Sequence, residues 1–275
     1  MNPTHDTRHT TRLDIKIPFQ SDLDLIPQLL SRPSSVVAQK KTVILVTGGN
    51  TGIGYEIVKK LARDSPNNQV LMACRDTHKG EEAVAAMGAP LNVNPIQLDI
   101  TDDGSIEHCF LAVQQHFGKL DVLVNNAGTA AQHLPADATL RERFDLCMNV
   151  NVTSTAVLTD KMAPLLEKSA LPKVIFISST VGSIHTNLKA LTYKGVWYNA
   201  SKTAVNMLAV HYAKVYPRWK VNSVCPGYRA TGLNHAELTD ETDPKLGAVR
   251  AAELVAEGPD GVTGTFSRAD GPVPW

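Results

Sequence analysis

Short apolar segments alternate with amphipathic segments along most of this chain, and the alternation predicts its architecture. The apolar segments are continuous and β-branched, as in "TVILVT" at 42–47, which is typical of strands buried on both faces. We predict strands over 42–48, 69–74, 94–100, 121–128, 173–179 and 220–227, and helices over 55–64, 80–87, 106–117, 140–168 and 198–216. This order indicates an α/β fold, in which one doubly wound parallel sheet carries helices on both faces.

Residues 1–40 lack this regular alternation. They contain a short alternating stretch, "RLDIKIPF" at 12–19, and a linker-like "SRPSS" at 31–35. We therefore expect an N-terminal extension over 1–40, partly ordered or disordered, and a single domain over 41–275.

Composition and charge exclude several classes of protein. The 275 residues are 43% hydrophobic, and 27 Lys and Arg residues balance 27 Asp and Glu residues. Nucleic-acid-binding proteins usually carry a basic excess, so we expect no nucleic-acid partner. No apolar run approaches the roughly 18 residues of a membrane span, and the N-terminus lacks the apolar core of a secretory signal. We therefore expect a cytoplasmic protein without a membrane partner.

The four cysteines, Cys74, Cys109, Cys147 and Cys225, lie far apart and form no Cys-x-x-Cys pair. This spacing favours reduced thiols over a disulfide framework or a zinc site. We predict no metal site.

A glycine-rich sequence, "TGGNTGIG" at 47–54, separates the first predicted strand from the first predicted helix. Gly48, Gly52 and Gly54 permit a sharp turn and a close approach of the backbone to a ligand. A helix N-terminus adds free N–H groups and a positive dipole end, which suit a pyrophosphate. An ordinary strand-to-helix turn is the competing interpretation, but the position directly after a buried strand favours a dinucleotide site.

Tyr198 and Lys202 lie four residues apart in a predicted helix. Residues at this spacing share a helix face, with Cβ atoms about 5–6 Å apart. A nearby cation stabilises a phenolate, so we expect Lys202 to lower the pKa of Tyr198 and to let it exchange a proton near neutral pH. A surface tyrosine beside a solvated lysine would show the same spacing, so other motifs have to decide.

Five motifs occur in the order and approximate spacing of one known family. They are "TGGNTGIG" at 47–54, "NNAG" at 125–128, "ISST" at 177–180, "YNASK" at 198–202 and "CPGYRAT" at 225–231. Together they resemble the short-chain dehydrogenases/reductases over about 41–275, with similarity to the carbonyl-reductase and retinol-dehydrogenase-like branches. The resemblance implies a single-domain Rossmann-type fold and an NADP(H)-dependent oxidoreductase that interconverts a ketone or aldehyde and an alcohol.

The resemblance also implies catalytic roles by position. Tyr198 would be the acid/base, and Lys202 would be the group that lowers its pKa. Ser179 would hold the substrate oxygen. Ser178 is the neighbouring alternative, but Ser179 aligns better with the Ser-x-x-Gly pattern of the family.

Asn151 completes the catalytic set that the resemblance implies. It would hold a water that links Lys202 to solvent. Asn149 is the neighbouring alternative, but Asn151 stands where the Asn-x-x-Gly pattern of the family places its asparagine. The glycine of that pattern is Ser154 in this chain.

The end of the second predicted strand bears on the choice between NAD(H) and NADP(H). An NAD-selective site places a carboxylate there for the ribose 2′-hydroxyl, but this chain has Cys74 followed by Arg75. A guanidinium suits a 2′-phosphate because it offers paired, charge-assisted hydrogen bonds. Asp76 is an alternative ribose ligand, although it fits better as the N-cap of the next helix. Thr51 is neutral where related NADP enzymes carry a second basic residue, so we expect a moderate preference for NADP(H).

The other expected cofactor contacts follow from the resemblance as well. Asp99 would contact the adenine, and Thr231 would bind the carboxamide end of the nicotinamide. The full set expected at the cofactor is Gly48, Asn50, Thr51, Gly52, Ile53, Gly54, Arg75, Asp99, Ile100, Asn126, Ala127, Gly128, Tyr198, Lys202, Pro226, Gly227 and Thr231.

Two segments are expected to form the substrate pocket, namely 180–197 and the residues after Thr231. They offer His185, Leu188, Tyr193, Trp197, Tyr228 and Leu233. This mix suggests a small, moderately apolar carbonyl compound or alcohol, and loop packing is the competing interpretation for most of these side chains. Two other classes stay open: a relative that uses bound NADP for dehydratase, epimerase or cyclase chemistry, and a cofactor-binding regulator. A homo-oligomer is one candidate for the assembly.

Overall fold

A computed structural model describes residues 41–275, and our expectation for residues 1–40 lies outside the described part. Its strands are β1 (Thr42–Thr47), β2 (Asn68–Cys74), β3 (Val93–Gln97), β4 (Val122–Asn125), β5 (Lys173–Ile177), β6 (Lys220–Val224), β7 (Thr265–Arg268) and β8 (Gly271–Pro272). They form one sheet in the order β3-β2-β1-β4-β5-β6-β7-β8. All neighbouring strands are parallel except β7 and β8.

Helices connect most of the parallel strands. They are α1 (Gly52–Asp64), α2 (Thr77–Ala86), α3 (Asp103–Phe117), α4 (Leu140–Met148), α5 (Ser154–Leu166), α6 (Ile184–Lys189), α7 (Val196–Val215) and α8 (Pro244–Ala256). A π-helical segment, Asn149–Thr153, joins α4 to α5, and a 3₁₀ turn, Thr180–Gly182, follows β5.

The alternation of side chains along β1 shows why the sheet is covered on both faces. Val43 and Leu45 belong to one buried cluster, and Ile44 and Val46 belong to another. Successive residues of a strand point to opposite faces, so a continuous apolar strand requires two apolar layers. The predicted α/β fold, a single doubly wound parallel sheet with helices on both faces, is confirmed.

The strand order reverses between β1 and β4, which are neighbours in the sheet. Connections from these two strands lead in opposite directions, so a crevice opens at their carboxyl ends. The turn after β1 and the segment after β4 border this crevice. Ligands of doubly wound folds bind at such a switch point.

The structure also corrects several predicted elements. The helical region predicted over 140–168 is observed as α4, the π-helical segment and α5, whereas the strand predicted over 94–100 already ends at Gln97. No element was predicted for α6, α8, β7 or β8. Within residues 41–275, no helix combines the length and the apolar character that a membrane crossing requires.

Candidate active site

The glycine-rich turn between β1 and α1 has the backbone that its sequence predicts. Gly48 and Gly52 adopt φ values of +61° and +55°, which L side chains rarely adopt. A Cβ on Gly54 would lie 2.2 Å from the carbonyl oxygen of Gly48. The first turn of α1 therefore packs directly against the turn that precedes it, and only glycine fits there.

Within residues 41–275, no side chain caps the N-terminus of α1. Thr51 is extended, and its side chain accepts no hydrogen bond from the helix. In contrast, the side chain of Asp76 accepts from the N–H of Lys79 at α2, and that of Asp102 accepts from Ser105 at α3. The first N–H groups of α1 are thus open to an external acceptor.

Asn126 ties the turn to the end of β4. Its Nδ2 donates to the carbonyl of Thr47 at 2.8 Å, and its backbone N–H donates to Thr47 Oγ1 at 2.9 Å. The N–H of Ala127 donates to the same hydroxyl at 2.9 Å. The predicted cofactor residue Asn126 therefore shapes the floor of the crevice, while Gly128 lies exposed beside it.

Tyr198 and Lys202 lie in the first half of α7. The Nζ of Lys202 is 5.6 Å from the centre of the Tyr198 ring and donates to the carbonyl of Ile177 at 2.8 Å. A Cβ on Gly128 would lie 3.5 Å from the same Nζ. The structure thus brings the predicted pair together and places its ammonium against the segment that follows β4.

Burial controls the protonation of this pair. It lowers the pKa of Lys202 from 10.5 to about 8, a value at which the side chain is mostly charged at neutral pH. Burial also raises the pKa of the Tyr198 phenol above its ordinary value, and the Cys225 thiol adds to this rise. The spacing of Tyr198 and Lys202 predicted a lowered pKa for Tyr198, and this prediction is wrong because the effect of burial is larger than that of the nearby ammonium. Tyr198 is a protonated phenol at neutral pH.

The two serines after β5 have different surroundings. Ser178 is buried, and its Oγ donates to the carbonyl of Lys202 at 3.3 Å. Ser179 is partly exposed, and its Oγ accepts only a 3.4 Å hydrogen bond from the N–H of Val181 among the described residues. Its hydroxyl hydrogen is therefore available to a ligand, which distinguishes Ser179 from Ser178.

Asn151 is held by hydrogen bonds on every polar atom of its side chain. Its Oδ1 accepts from the N–H of Thr129 at 2.8 Å, and its Nδ2 donates to the Thr129 carbonyl at 2.8 Å and to Ser201 Oγ at 2.9 Å. Ser201 in turn donates to the carbonyl of Tyr198 at 2.8 Å. Asn151 thereby clamps the π-helical segment to the loop after β4 and to α7, whereas Asn149 stands at the start of that segment.

The residues that we predicted to contact the adenosine half of the cofactor lie at the ends of β2 and β3. Cys74 is buried, with its Sγ 3.2 Å from the carbonyl oxygen of Asp76, while Arg75 is exposed. Asp76 is the N-cap of α2, as predicted. Asp99 accepts at Oδ1 from both the N–H and the hydroxyl of Thr101, at 2.9 and 2.7 Å. Arg75 follows β2 as an exposed cation with no ion-pair partner among residues 41–275.

The loop after β6 carries the residues that we predicted at the nicotinamide end of the crevice. Pro226 and Gly227 begin it, and a Cβ on Gly52 would lie 3.3 Å from Cγ2 of Thr231. The predicted nicotinamide contact Thr231 thus lies against the glycine-rich turn. Ile53 belongs to the same contact, because a Cβ on Gly247 would touch both Ile53 and Pro226 at 3.2 Å. Of the remaining predicted contacts, Asn50 lies in the turn after β1, and Ile100 is buried in the segment after β3.

Similarity to known proteins accords with this arrangement. Residues 42–242 match the family model of the short chain dehydrogenases, which covers most of residues 41–275. The chain belongs to the short-chain dehydrogenase family.

Individual relatives cover nearly the whole domain. Short-chain dehydrogenase/reductase ATR10 of Stachybotrys chlorohalonatus is 34% identical over 252 residues, 84% of this chain and 89% of that protein. The structure of salutaridine reductase from Papaver somniferum has a TM-score of 0.70 at 28% identity, covering 82% of this chain and 99% of that chain. NADPH-bound carbonyl reductase from chicken fatty liver has a TM-score of 0.75 at 26% identity, covering 86% and 100%. This dehydrogenase is thus an oxidoreductase of a family that acts on carbonyl and alcohol groups of small molecules.

Three residues of this short-chain dehydrogenase were missed as site residues by the sequence analysis. Thr47 and Thr129 support the crevice through the hydrogen bonds described above, and Ser201 links Asn151 to α7. Thr47 and Ser201 lie inside two of the recognised motifs, and Thr129 directly follows a third, so their positions could have identified them as site residues. Trp197, which we expected in the pocket wall, is partly exposed and donates from Nε1 to the carbonyl of Ala130 at 3.0 Å. Among residues 41–275, no His, Cys, Asp and Glu cluster is arranged to hold a metal.

Proposed function

We propose that this dehydrogenase is an NADP(H)-dependent enzyme that interconverts a ketone or aldehyde and an alcohol, with Tyr198 as the acid/base. The observation that carries the proposal is the position of the Lys202 Nζ, which lies 5.6 Å from the Tyr198 ring and beside Gly128. The proton donor therefore stands at the edge of the crevice in which a dinucleotide is expected. Ser179 follows Ser178, whose Oγ donates to the carbonyl of Lys202 in α7, and this connection supports a role for Ser179 at the same site.

The residues of the crevice fit a nicotinamide dinucleotide. The N-terminus of α1, which no side chain among residues 41–275 caps, offers N–H groups to a pyrophosphate, and Gly48 and Gly52 form the preceding turn at positive φ. Thr231 would hold the nicotinamide end, and Arg75 the adenosine 2′-phosphate. The bound nicotinamide supplies or accepts the hydride.

The side chains of the chain itself manage the proton. Because the pKa of Tyr198 is raised by burial, its hydroxyl is protonated at neutral pH and can donate to a carbonyl oxygen that gains negative charge. Ser179 Oγ would donate a second hydrogen bond to that oxygen. The Lys202 ammonium, fixed by Ile177, stabilises the phenolate that results. In the reverse direction, the phenolate accepts the proton of an alcohol.

Nicotinamide absorbance tests the proposal directly. NADPH is incubated with purified protein and a panel of ketones and aldehydes, and its absorbance is followed together with the products. We expect carbonyl-dependent oxidation of NADPH with one alcohol formed per NADPH consumed. Product formation at constant NADPH absorbance would show non-redox chemistry, and cofactor binding without any product would indicate a regulator.

Replacement of Arg75 by alanine is expected to weaken NADP(H) but to leave NAD(H) nearly unaffected. A charge-assisted hydrogen bond contributes roughly 1.5–3 kcal/mol, which corresponds to about one to two decades in affinity. The measurement is the ratio of kcat/KM for the two cofactors at one salt concentration, because the contact is ionic.

Arg63→Ala is the matched control, since Arg63 lies exposed in the last turn of α1, at the end remote from the glycine-rich turn. It should leave the cofactor ratio unchanged. The wild type could already prefer NAD(H), or the Arg75→Ala variant could keep the wild-type ratio. Either result would show that Asp76, and not Arg75, contacts the ribose.

Alanine replacements at the two adjacent serines should separate chemistry from packing. Ser179→Ala is expected to lower kcat about 100-fold, a typical effect of losing one donor to a developing oxyanion. Ser178→Ala removes a buried hydrogen bond to the carbonyl of Lys202, so it should mainly lower the melting temperature. Steady-state kinetics and thermal unfolding of both variants check this. A larger kinetic effect at Ser178 would assign the substrate contact to that residue.

A further inference from the structure

The segment between the 3₁₀ turn and the start of α7 presents an apolar surface beside the site. Its large apolar side chains that remain exposed are Ile184, Leu188, Leu191, Tyr193 and Val196. Isolated exposed apolar residues are ordinary, but several within one short segment beside a reactive group favour a binding surface. These five side chains are spread over residues 184–196, and one of them, Tyr193, contacts the ring of Tyr198.

Within this surface, Tyr193 packs against Tyr198. The two ring centres are 5.8 Å apart, and the ring planes meet at 82°, an edge-to-face contact. Tyr193 remains 38% exposed, so part of its side chain is open to a ligand. A carbonyl oxygen that reaches the Tyr198 hydroxyl therefore brings its attached carbon skeleton close to an aromatic side chain.

The position of the Tyr193 ring depends on the residues that follow it. A Cβ on Gly195 would lie 2.3 Å from Cε1 of Tyr193 and 2.7 Å from its hydroxyl oxygen. Asn199 Nδ2 donates to the carbonyl of Tyr193 at 2.9 Å, which ties this backbone to α7. The ring is thus folded back over a residue without a side chain and is held beside Tyr198.

We propose that Tyr193 is a specificity-determining residue that favours substrates whose carbonyl carbon is attached to a flat, unsaturated ring. This inference rests on the proposed carbonyl reduction and names its substrate class. Flat rings gain from edge-to-face or offset contact with an aromatic side chain, whereas puckered saturated rings of the same size lack the π-system for that contact. The gain corresponds to about three- to tenfold in kcat/KM.

Acetophenone and cyclohexyl methyl ketone form the test pair, because they share one carbon skeleton and differ in the unsaturation of the ring. We expect the wild type to prefer acetophenone. Tyr193→Leu should lower kcat/KM for acetophenone about three- to tenfold, mainly through KM, with little change for the saturated ketone. Tyr193→Phe retains the ring and should keep the preference.

Gly195→Ala provides a second, independent variant. Its Cβ would displace the Tyr193 ring, so the loss of preference should match that of Tyr193→Leu although the tyrosine is present. Tyr216→Leu is the control for loss of a tyrosine ring. Tyr216 stacks on Trp219 at the far end of α7, so its loss should lower stability without altering the preference.

An unchanged ratio of the two ketones in Tyr193→Leu, or an equal loss for both, would overturn the inference. If the wild type reduces neither ketone, the result contradicts the proposed function. The role of Tyr193 is then tested separately, by ligand-observed NMR that measures binding of both ketones to the same variants. Preferential binding of acetophenone that disappears in Tyr193→Leu would support the inference. Equal binding of both ketones by wild type would contradict it.

Discussion

Tyr198→Phe is expected to lower kcat about 1000-fold while the dissociation constant of NADP(H) stays within a few-fold of wild type. Positioned acid/base groups typically contribute 10²–10⁴-fold, so about 10³ is the central expectation. The change removes one hydroxyl and keeps the ring, so the contact with Tyr193 and the packing of α7 persist. Steady-state turnover and fluorescence titration of the cofactor measure the two quantities.

Tyr212→Phe offers a matched control for the loss of a phenol on the same helix. The Tyr212 hydroxyl donates to Oδ1 of Asp160 at 2.8 Å, away from the crevice, and burial raises its pKa as well. This variant should lose stability and keep its turnover per folded molecule. Near-normal turnover of Tyr198→Phe would remove Tyr198 from the role of acid.

Lys202→Met is expected to abolish most activity and to stabilise the fold at mildly acidic pH. The pKa of Lys202 falls from 10.5 to about 8 on burial, which corresponds to a cost of about 3 kcal/mol. Methionine avoids this cost but leaves the Ile177 carbonyl without its donor, which costs about 1–3 kcal/mol. We therefore expect a gain of at most about 2 kcal/mol in the free energy of unfolding.

The pH dependence of this gain follows from the direction of the shift. Below pH 8 the lysine is charged in both folded and unfolded chains, so the folded wild type carries the full cost of burial. Between about pH 8 and 10.5 the folded chain releases its proton first, and the cost disappears. Urea unfolding at pH 6.5 and pH 10 should therefore show the gain only at the lower pH.

Lys214→Met is the control for this experiment, because Lys214 lies exposed in the last turn of α7. It should change the free energy of unfolding little at either pH. If Lys202→Met instead had a lower free energy of unfolding than wild type at pH 6.5, the buried ammonium would stabilise the fold.

Most of the sheet could be predicted because its strands are continuous apolar runs. β1 to β6 were found, whereas β7 and β8 are short and, like "TFSR" at 265–268, mix polar with apolar residues. The six-residue α6 is too short for helical periodicity to emerge. α8 carried a start signal that was overlooked, with Asp243 as the N-cap and Pro244 in the first turn.

Features of the site that are set by residues close in sequence could be predicted. Features that are set by contacts between distant segments could not. The spacing of Tyr198 and Lys202 follows from one helix. The direction of the Tyr198 pKa depends on burial by several elements, so the sequence alone suggested the opposite sign. Ser178 and Ser179 are adjacent residues of the same type, so their side-chain chemistry does not distinguish them. Only the fold shows that the hydroxyl of Ser178 donates to the carbonyl of Lys202.

The segment 184–196 differs from the catalytic core in how it is attached. Asn151 is fixed by three side-chain hydrogen bonds to Thr129 and Ser201, none of which involves this segment. The segment itself presents large apolar side chains to its surroundings. The exposed positions 184, 188 and 191 can therefore be varied while Asn151 keeps its partners, which makes them suitable positions for libraries in directed evolution of substrate range.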